Sequence, residues 1–239
     1  MNCRAVIFDV YKTLLEVGPP PADASARWAA LWRELLGREP RLDLAAFATG
    51  CRAAIARDHA AAKAAGVSFP EVYWPDIVRE VVPEVAALDA TGQAEFAYRQ
   101  TGLWHTVRLC PPAADTLRDL QQRGFLLGIA SNAQPYTLRE LDEALATAGL
   151  SATLFTPALT FWSFAHGFSK PDPHVFRLLT ARLRALGVAP SETLMVGDRL
   201  DNDIEPARAQ GWQTWHIAPP AADSWGRLQK RLGRLHSAP

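Results

Sequence analysis

Residues 5–15 read AVIFDVYKTLL. Four apolar residues, Ala5 to Phe8, run straight into Asp9, and Thr13 and Leu14 follow closely. An apolar run that stops abruptly at a carboxylate is the pattern of a buried strand ending at a polar surface. In an open parallel α/β sheet, ligands bind beyond the carboxyl ends of the strands, so a carboxylate there faces the crevice. An aspartate in that place can attack as a nucleophile and form a covalent intermediate. Taken alone, Asp9 could equally cap a turn after a strand.

Two further runs have the same form. Phe125 to Ala130 precedes Ser131 and Asn132, and Thr193 to Val196 precedes Gly197 and Asp198. Helix-period segments lie between them: Ala113 to Gln122, ended by Gly124, and His174 to Leu186, ended by Gly187. A helix over Ile204 to Ala209 and a fourth strand over Gln213 to Ile217 are expected next. Strands alternating with helices of this length imply parallel βαβ units. The stretch from about Ala22 to Arg108 differs, being Ala- and Arg-rich with helical periodicity and no convincing strand. Trp28, Leu31, Trp32, Leu35 and Leu36 recur at helical intervals and read as an amphipathic face burying two indoles. Proline breaks bound this block at Pro19–Pro21 and Pro111–Pro112. The expected fold is therefore α/β: a Rossmann-like parallel sheet core over residues 1–18 and 106–239, with an α-helical block inserted over residues 19–105. The tail, Ala221 to Pro239, is expected to be weakly helical and to pack on the surface.

Composition bounds the function. The 239 residues are 49% apolar, with 25 acidic and 25 basic side chains and no net charge. That supports a sizeable core and argues against a nucleic-acid surface. Cys3, Cys51 and Cys110 are few, odd in number and far apart, which fits reduced thiols in the cytoplasm. The strand begins almost at once, leaving no room for a signal peptide, and no apolar run spans a bilayer. Neither a membrane nor a nucleic-acid partner is expected. The oligomeric state, monomer or homodimer, is not constrained.

Asp9, Ser131, Lys170 and Asp198 each follow or flank a strand. If the strands are parallel and adjacent, all four reach one sheet edge. Asp9 is then the nucleophile, and Ser131 donates a hydrogen bond to an anionic substrate group, with Asn132 helping to orient it. Lys170 places a positive charge where negative charge develops in the transition state. Asp198 and Asp203 bring further carboxylates onto a Gly-containing loop, a donor set suited to Mg²⁺. The metal offsets repulsion between the attacking carboxylate and a phosphate dianion.

These residues resemble the haloacid dehalogenase-like hydrolase superfamily, whose members carry four short motifs in this order. Asp9 and Thr13 in FDVYKTLL match the first, Ser131 in LLGIASNA the second, and Lys170 in FSKPDPHVF the third. Gly197, Asp198 and Asp203 in MVGDRLDNDI match the fourth. Each motif is weak singly; four in order form a specific set. The helical block sits where the family places a cap domain. The resemblance implies a metal held by Asp9, by the backbone carbonyl of Tyr11 and by Asp198. It also implies catalytic roles for Asp9, Thr13, Ser131 and Lys170, and a small phosphorylated metabolite as substrate.

Tyr11 departs from the phosphatase pattern, which has a second aspartate there to protonate the leaving group. A phenol titrates near ~10, far from a carboxylic acid's ~4, and cannot do that work near neutral pH. The 2-haloacid dehalogenases of the superfamily carry Tyr in this place and work without metal. They also use an arginine from the cap, for which Arg27 and Arg33 are candidates beside the plainer reading of solvated helix-face arginines. The acidic fourth motif points the other way, because it would repel a haloacid carboxylate unless a cation were bound. A Mg²⁺-dependent phosphatase is thus the first reading, a carbon–halogen hydrolase the alternative, and a catalytically weak binding protein the third. Lys12 stands where the family usually has Gly; either the loop is unstrained there with an outward Lys, which is the expectation, or Lys12 extends into the crevice as an extra anion contact. Residues 161–166, FWSFAH, are read either as pocket lining or as a packed loop. Trp74, Trp104 and His105 are read either as facing the site or as core.

Overall fold

Four apolar residues without a polar interruption make β1 (Ala5–Phe8), and all four are fully buried. The computed structural model describes residues 3–234 of the chain. After β1 the chain turns sharply into β2 (Leu15–Gly18), which pairs antiparallel with β3 (Thr106–Leu109). Between these two short strands lie four helices: α1 (Ala24–Leu36), α2 (Leu44–Ala64), α3 (Trp74–Val81) and α4 (Ala90–Thr101). They close on a hydrophobic cluster of their own, built around Trp28, Trp32, Phe47 and Phe96. The Trp28 ring lies 4.9 Å from Phe47 and edge-on to Trp32 at 5.6 Å, the aromatic geometry that stacked or edge contacts favour. The Trp28–Trp32 stripe is therefore core.

From β3 the chain returns to the sheet through α5 (Pro111–Gln122), β4 (Leu126–Ser131) and α6 (Pro135–Ala146). It continues through β5 (Thr160–Trp162), α7 (Pro173–Ala185), β6 (Thr193–Gly197), α8 (Glu205–Ala209), β7 (Gln213–His216) and α9 (Ala221–Arg234). The sheet order is β5-β4-β1-β6-β7, and every pairing is parallel. A parallel sheet must be covered on both faces, and the side chains of β1 alternate accordingly. Val6 and Phe8 enter a cluster with α5, α6 and α9, whereas Ala5 and Ile7 enter a second cluster with α7 and α8. No helix of the described residues is long and apolar enough to cross a membrane.

Two expectations change. The tail is not a surface addition: Trp225, Leu228 and Leu232 of α9 are buried, and Trp225 stacks on Phe8 at 6.3 Å. Burying an indole removes far more apolar area from water than a surface helix could offer. Residues 235–239 of that tail lie outside the described residues. The segment 161–166 divides: Phe161 is a fully buried residue of β5, and His166 stacks flat on it at 4.5 Å.

Candidate active site

β1 is flanked by β4 and β6 in matched register, with Phe8 opposite both Ile129 and Val196. The residues at or just beyond the carboxyl ends of these strands therefore emerge side by side. They are Asp9, Ser131 and Asp198. Lys170 arrives from the loop between β5 and α7, and its ammonium reaches Asp9 Oδ1 at 2.7 Å and Asp203 Oδ1 at 2.6 Å. All of Asp9, Lys170 and Asp203 are buried. Asp203 is spent on holding the others: its second oxygen accepts from the Arg199 backbone N–H at 3.0 Å. Gly197 is required beside it, since a Cβ there would lie 2.4 Å from the Asp203 carboxylate. His216, at the end of β7, makes a 2.8 Å hydrogen bond to the Asp198 backbone carbonyl and steadies the same loop.

The carboxylates of Asp9, Asp198 and Asp203 lie within 4.8 Å of one another. One ammonium among three carboxylates leaves negative charge in excess. Burial, and then the neighbouring Asp203, push the Asp9 carboxyl up to about 6, against the opposing pull of Lys170. Asp198 is raised for the same two reasons, burial first. Burial disfavours the Lys170 charge, yet its two carboxylate partners outweigh this and hold it protonated. A hard divalent cation fits such a donor set, with Asp9 and Asp198 the carboxylates free to take it.

Two hydroxyl donors also lie near the carboxyl ends of β1 and β4. Ser131 Oγ and Thr13 Oγ1 are both buried and lack a hydrogen-bond partner. Buried hydroxyls without partners are costly, and a bound anion would satisfy both. The Asn132 side chain is engaged with Lys170. Its amide donates to the Lys170 carbonyl at 2.9 Å and accepts from the Lys170 N–H at 2.7 Å. These bonds tie the Asn132 side chain to the backbone of the residue that carries the ammonium.

Tyr11 turns away from acid–base work. Its hydroxyl donates to Glu140 Oε2 at 2.5 Å and lies 2.9 Å from Thr137 Oγ1, both on α6. Burial, and then Glu140, raise its pKa far above the ordinary phenol value. Glu140 also binds His105 Nε2 at 2.9 Å, so His105 is a partner of this network and not of the Asp9 cluster. Lys12 contradicts the unstrained reading: its φ is 59°, in the left-handed region that Gly enters freely and Lys does not. A tight turn forces it, with the Lys12 N–H on the Leu15 carbonyl at 2.6 Å. The side chain is exposed, as expected, and its charge is felt at Asp198.

Arg27 pairs with Asp23 and Arg33 with Glu39, all well exposed, so both fit the solvated reading. Trp74 donates its indole N–H to Gln100 and packs against the helical cluster. Trp104 joins the same cluster. The residues that sequence reasoning did not single out are Glu71, Gln134, Ser163, Glu140 and His216. Only His216 carried a usable signal, its place at a strand's carboxyl end.

Residues 3–211 match the family model described as haloacid dehalogenase-like hydrolase. The chain is 34% identical over 142 residues to the phosphoserine phosphatase of Thermus thermophilus, covering 58% of this chain and 53% of that protein. It is 29% identical over 235 residues to human haloacid dehalogenase-like hydrolase domain-containing protein 3, covering 93% and 84%. In the first two curated relatives the match spans only a little over half of their length, 53% and 56%. Among solved structures, the 2-haloacid dehalogenase from Pseudomonas syringae pv. Tomato DC3000 aligns at a TM-score of 0.54 and 24% identity, covering 89% of this chain and 85% of that one. The HAD phosphatase from Thermococcus onnurineus aligns at 0.54 and 20%, covering 98% of each. Phosphatase and dehalogenase thus share this fold, and the fold alone does not choose between them.

Proposed function

This chain belongs to the haloacid dehalogenase-like hydrolases, and on that premise we propose that it is a Mg²⁺-dependent phosphohydrolase using Asp9 on a small phosphorylated metabolite. The observation that carries this reading is the trio Asp9, Asp198 and Asp203 within 4.8 Å, with two buried, partnerless hydroxyls, Ser131 and Thr13, near the same strand ends. A cation together with hydrogen-bond donors suits a phosphoryl group. Relatives named phosphoserine phosphatase and glyceraldehyde 3-phosphate phosphatase agree with it.

In this reading an Asp9 carboxylate oxygen attacks phosphorus, and the bond to the ester oxygen breaks with its electron pair leaving on that oxygen. The leaving oxygen takes a proton from solvent; water then attacks phosphorus, the phosphorus–oxygen bond to Asp9 breaks to release the carboxylate, and of the water's two protons one stays on the phosphate and one returns to solvent. Lys170 stays charged throughout and stabilises the phosphoryl oxygens together with the Ser131 and Thr13 hydroxyls. Asp9, Asp198 and the Tyr11 backbone carbonyl would hold Mg²⁺, which when bound offsets charge between carboxylate and phosphate. Residues 19–105 act as the cap over a core formed by residues 1–18 and 106–239, and exclude water. Three buried free cysteines accord with work in the reducing cytoplasm.

Tyr11 favours a second reading, carbon–halogen hydrolysis, in which the leaving halide needs no proton. The excess negative charge around Asp9 weighs against it, because a haloacid carboxylate would be repelled. Paired release assays separate the two. Phosphate is measured from para-nitrophenyl phosphate and halide from 2-chloropropionate, each with Mg²⁺ and with EDTA. Mg²⁺-dependent phosphate release, lost in Asp9→Asn, is the expected result. Metal-independent halide release would replace it with the dehalogenase reading.

A further inference from the structure

The segment Phe69–Trp74, which leads from the α2–α3 connection into the first residue of α3, is laced to the loops that carry Ser131 and Lys170. On one side the Ser169 N–H donates to the Phe69 carbonyl at 2.9 Å, and the Glu71 N–H donates to the Gly167 carbonyl at 3.0 Å. Pro70 bridges Phe168 between them. These contacts hold the backbone leading into Lys170. On the other side Gln134 donates to the Val72 carbonyl at 2.7 Å and accepts from the Trp74 N–H at 2.7 Å. That grips the loop which begins at Ser131.

Glu71 joins the two sides through its side chain. Oε2 accepts the Ser163 hydroxyl proton at 2.7 Å, and Ser163 Oγ in turn accepts the Ala133 N–H at 2.8 Å. Oε1 accepts from Gln134 Nε2 at 3.0 Å and from the Val72 N–H at 3.1 Å. Ser163 is fully buried and Gln134 nearly so. The double clip between Asn132 and Lys170 closes the ring, so one continuous hydrogen-bond network joins the Ser131 and Lys170 loops to this segment of the helical insert.

We propose that Glu71 is a positioning residue: it seats the helical insert on the Ser131–Gln134 and Gly167–Lys170 loops, so that docking of the insert and alignment of the Ser131 and Lys170 side chains are a single event. Glutamate suits this place because its side-chain end meets three donors at once, from Ser163, Gln134 and Val72. A misplacement of about 1 Å at reacting groups costs up to roughly 100-fold in rate. The proposal rests on the phosphohydrolase reading for its kinetic arm and on geometry alone for its second arm.

The test uses Glu71→Ala and Glu71→Gln in the full chain. Glutamine keeps the Oε1 contacts, and its amide can donate to Ser163 Oγ while Ser163 turns its proton to the Ala133 carbonyl, 3.1 Å away. Steady-state kinetics on para-nitrophenyl phosphate, thermal midpoints and amide exchange over residues 131–134 and 167–172 are compared. Glu71→Ala is expected to lower kcat by roughly 10- to 100-fold with KM little changed, and to speed amide exchange in both loops. Glu71→Gln should restore both, at a similar thermal midpoint. Unchanged kcat and unchanged exchange in Glu71→Ala overturn the proposal, as does an equal loss in Glu71→Gln. If Glu71→Ala does not fold, Gln134→Ala removes the other anchor and carries the same comparison. If the wild-type protein releases no phosphate, the phosphohydrolase reading falls and the exchange data decide this proposal by themselves.

Discussion

The Lys170 ammonium stands 2.7 Å from Asp9 and 2.6 Å from Asp203, so one positive charge serves two buried carboxylates. The arrangement satisfies the lysine better than it satisfies Asp9. Burial lifts the Asp9 carboxyl from its ordinary 3.8 to about 6, and Asp203 adds to the shift.

The sign of the stability effect follows. The folded protein binds this proton more tightly than the unfolded chain does. Asp9 therefore contributes stability that is full below the unfolded value and is lost as pH rises through about 6. Asp9→Asn does not titrate, so the stability of the wild type relative to this variant should fall between about pH 4 and pH 6 in EDTA. Urea unfolding of both proteins across that range measures it. A relative stability that rises with pH would mean that Lys170 dominates instead.

Ser131 should show opposite effects on stability and catalysis. Its hydroxyl is buried without a partner, so Ser131→Ala removes an unsatisfied group and should leave the protein as stable or more stable by about 1 kcal/mol. The same change removes a donor to the phosphoryl group and should lower kcat/KM by on the order of 10²-fold. A variant that loses about 1 kcal/mol or more of stability would show that the hydroxyl is already bonded in the folded protein.

Lys12→Gly tests the turn after the nucleophile. The left-handed φ of 59° costs a residue with a side chain about 1–2 kcal/mol, partly offset by the greater freedom of glycine in the unfolded chain. Chemical denaturation should find the variant equal to the wild type or up to about 1 kcal/mol more stable. Clear destabilisation would mean that the Lys12 side chain holds the turn through its charge near Asp198.

Tyr11 holds its proton against Glu140 and cannot hand it to a leaving group. Turnover should then depend steeply on the leaving group, with aryl phosphates outpacing alkyl phosphates by about 10²-fold or more, the usual worth of a general acid. A flat dependence across a series of phosphate esters would mean that another group supplies the proton. Tyr11→Phe should cost about 1.5–3 kcal/mol of stability, since it breaks a hydrogen bond to a carboxylate.

The strands β1, β4, β6 and β7 were legible because each is a short run bounded by polar or turn residues, and the first three are heavily buried. β5 has only three residues and hides in an aromatic stretch, and β2 and β3 are half exposed, so neither pattern stands out. Asp9, Ser131, Lys170 and Asp198 could be found because strand ends announce themselves locally. Glu71 could not: it meets Gln134 across 63 positions and Ser163 across 92, and nothing near it in sequence differs from a solvated glutamate. Asn132 shows the limit from the other side. Its neighbour Ser131 marked it as a substrate contact, and its bonds to Lys170 form only on the chain's closure.

The strand order also sets a timetable. On the ribosome β1 emerges first, yet it pairs with strands that begin at Leu126 and Thr193, so both its edges stay bare through most of translation. The helical insert emerges next with an apolar cluster of its own, and it can condense while Ala5–Phe8 is still unpaired. A naked apolar strand held in waiting is the kind of segment that recruits chaperones or pairs with a neighbouring chain. The strand order thus places a demand on synthesis rather than on the finished molecule: the sooner β6 reaches the open edge of β1, the shorter the time that edge stays bare.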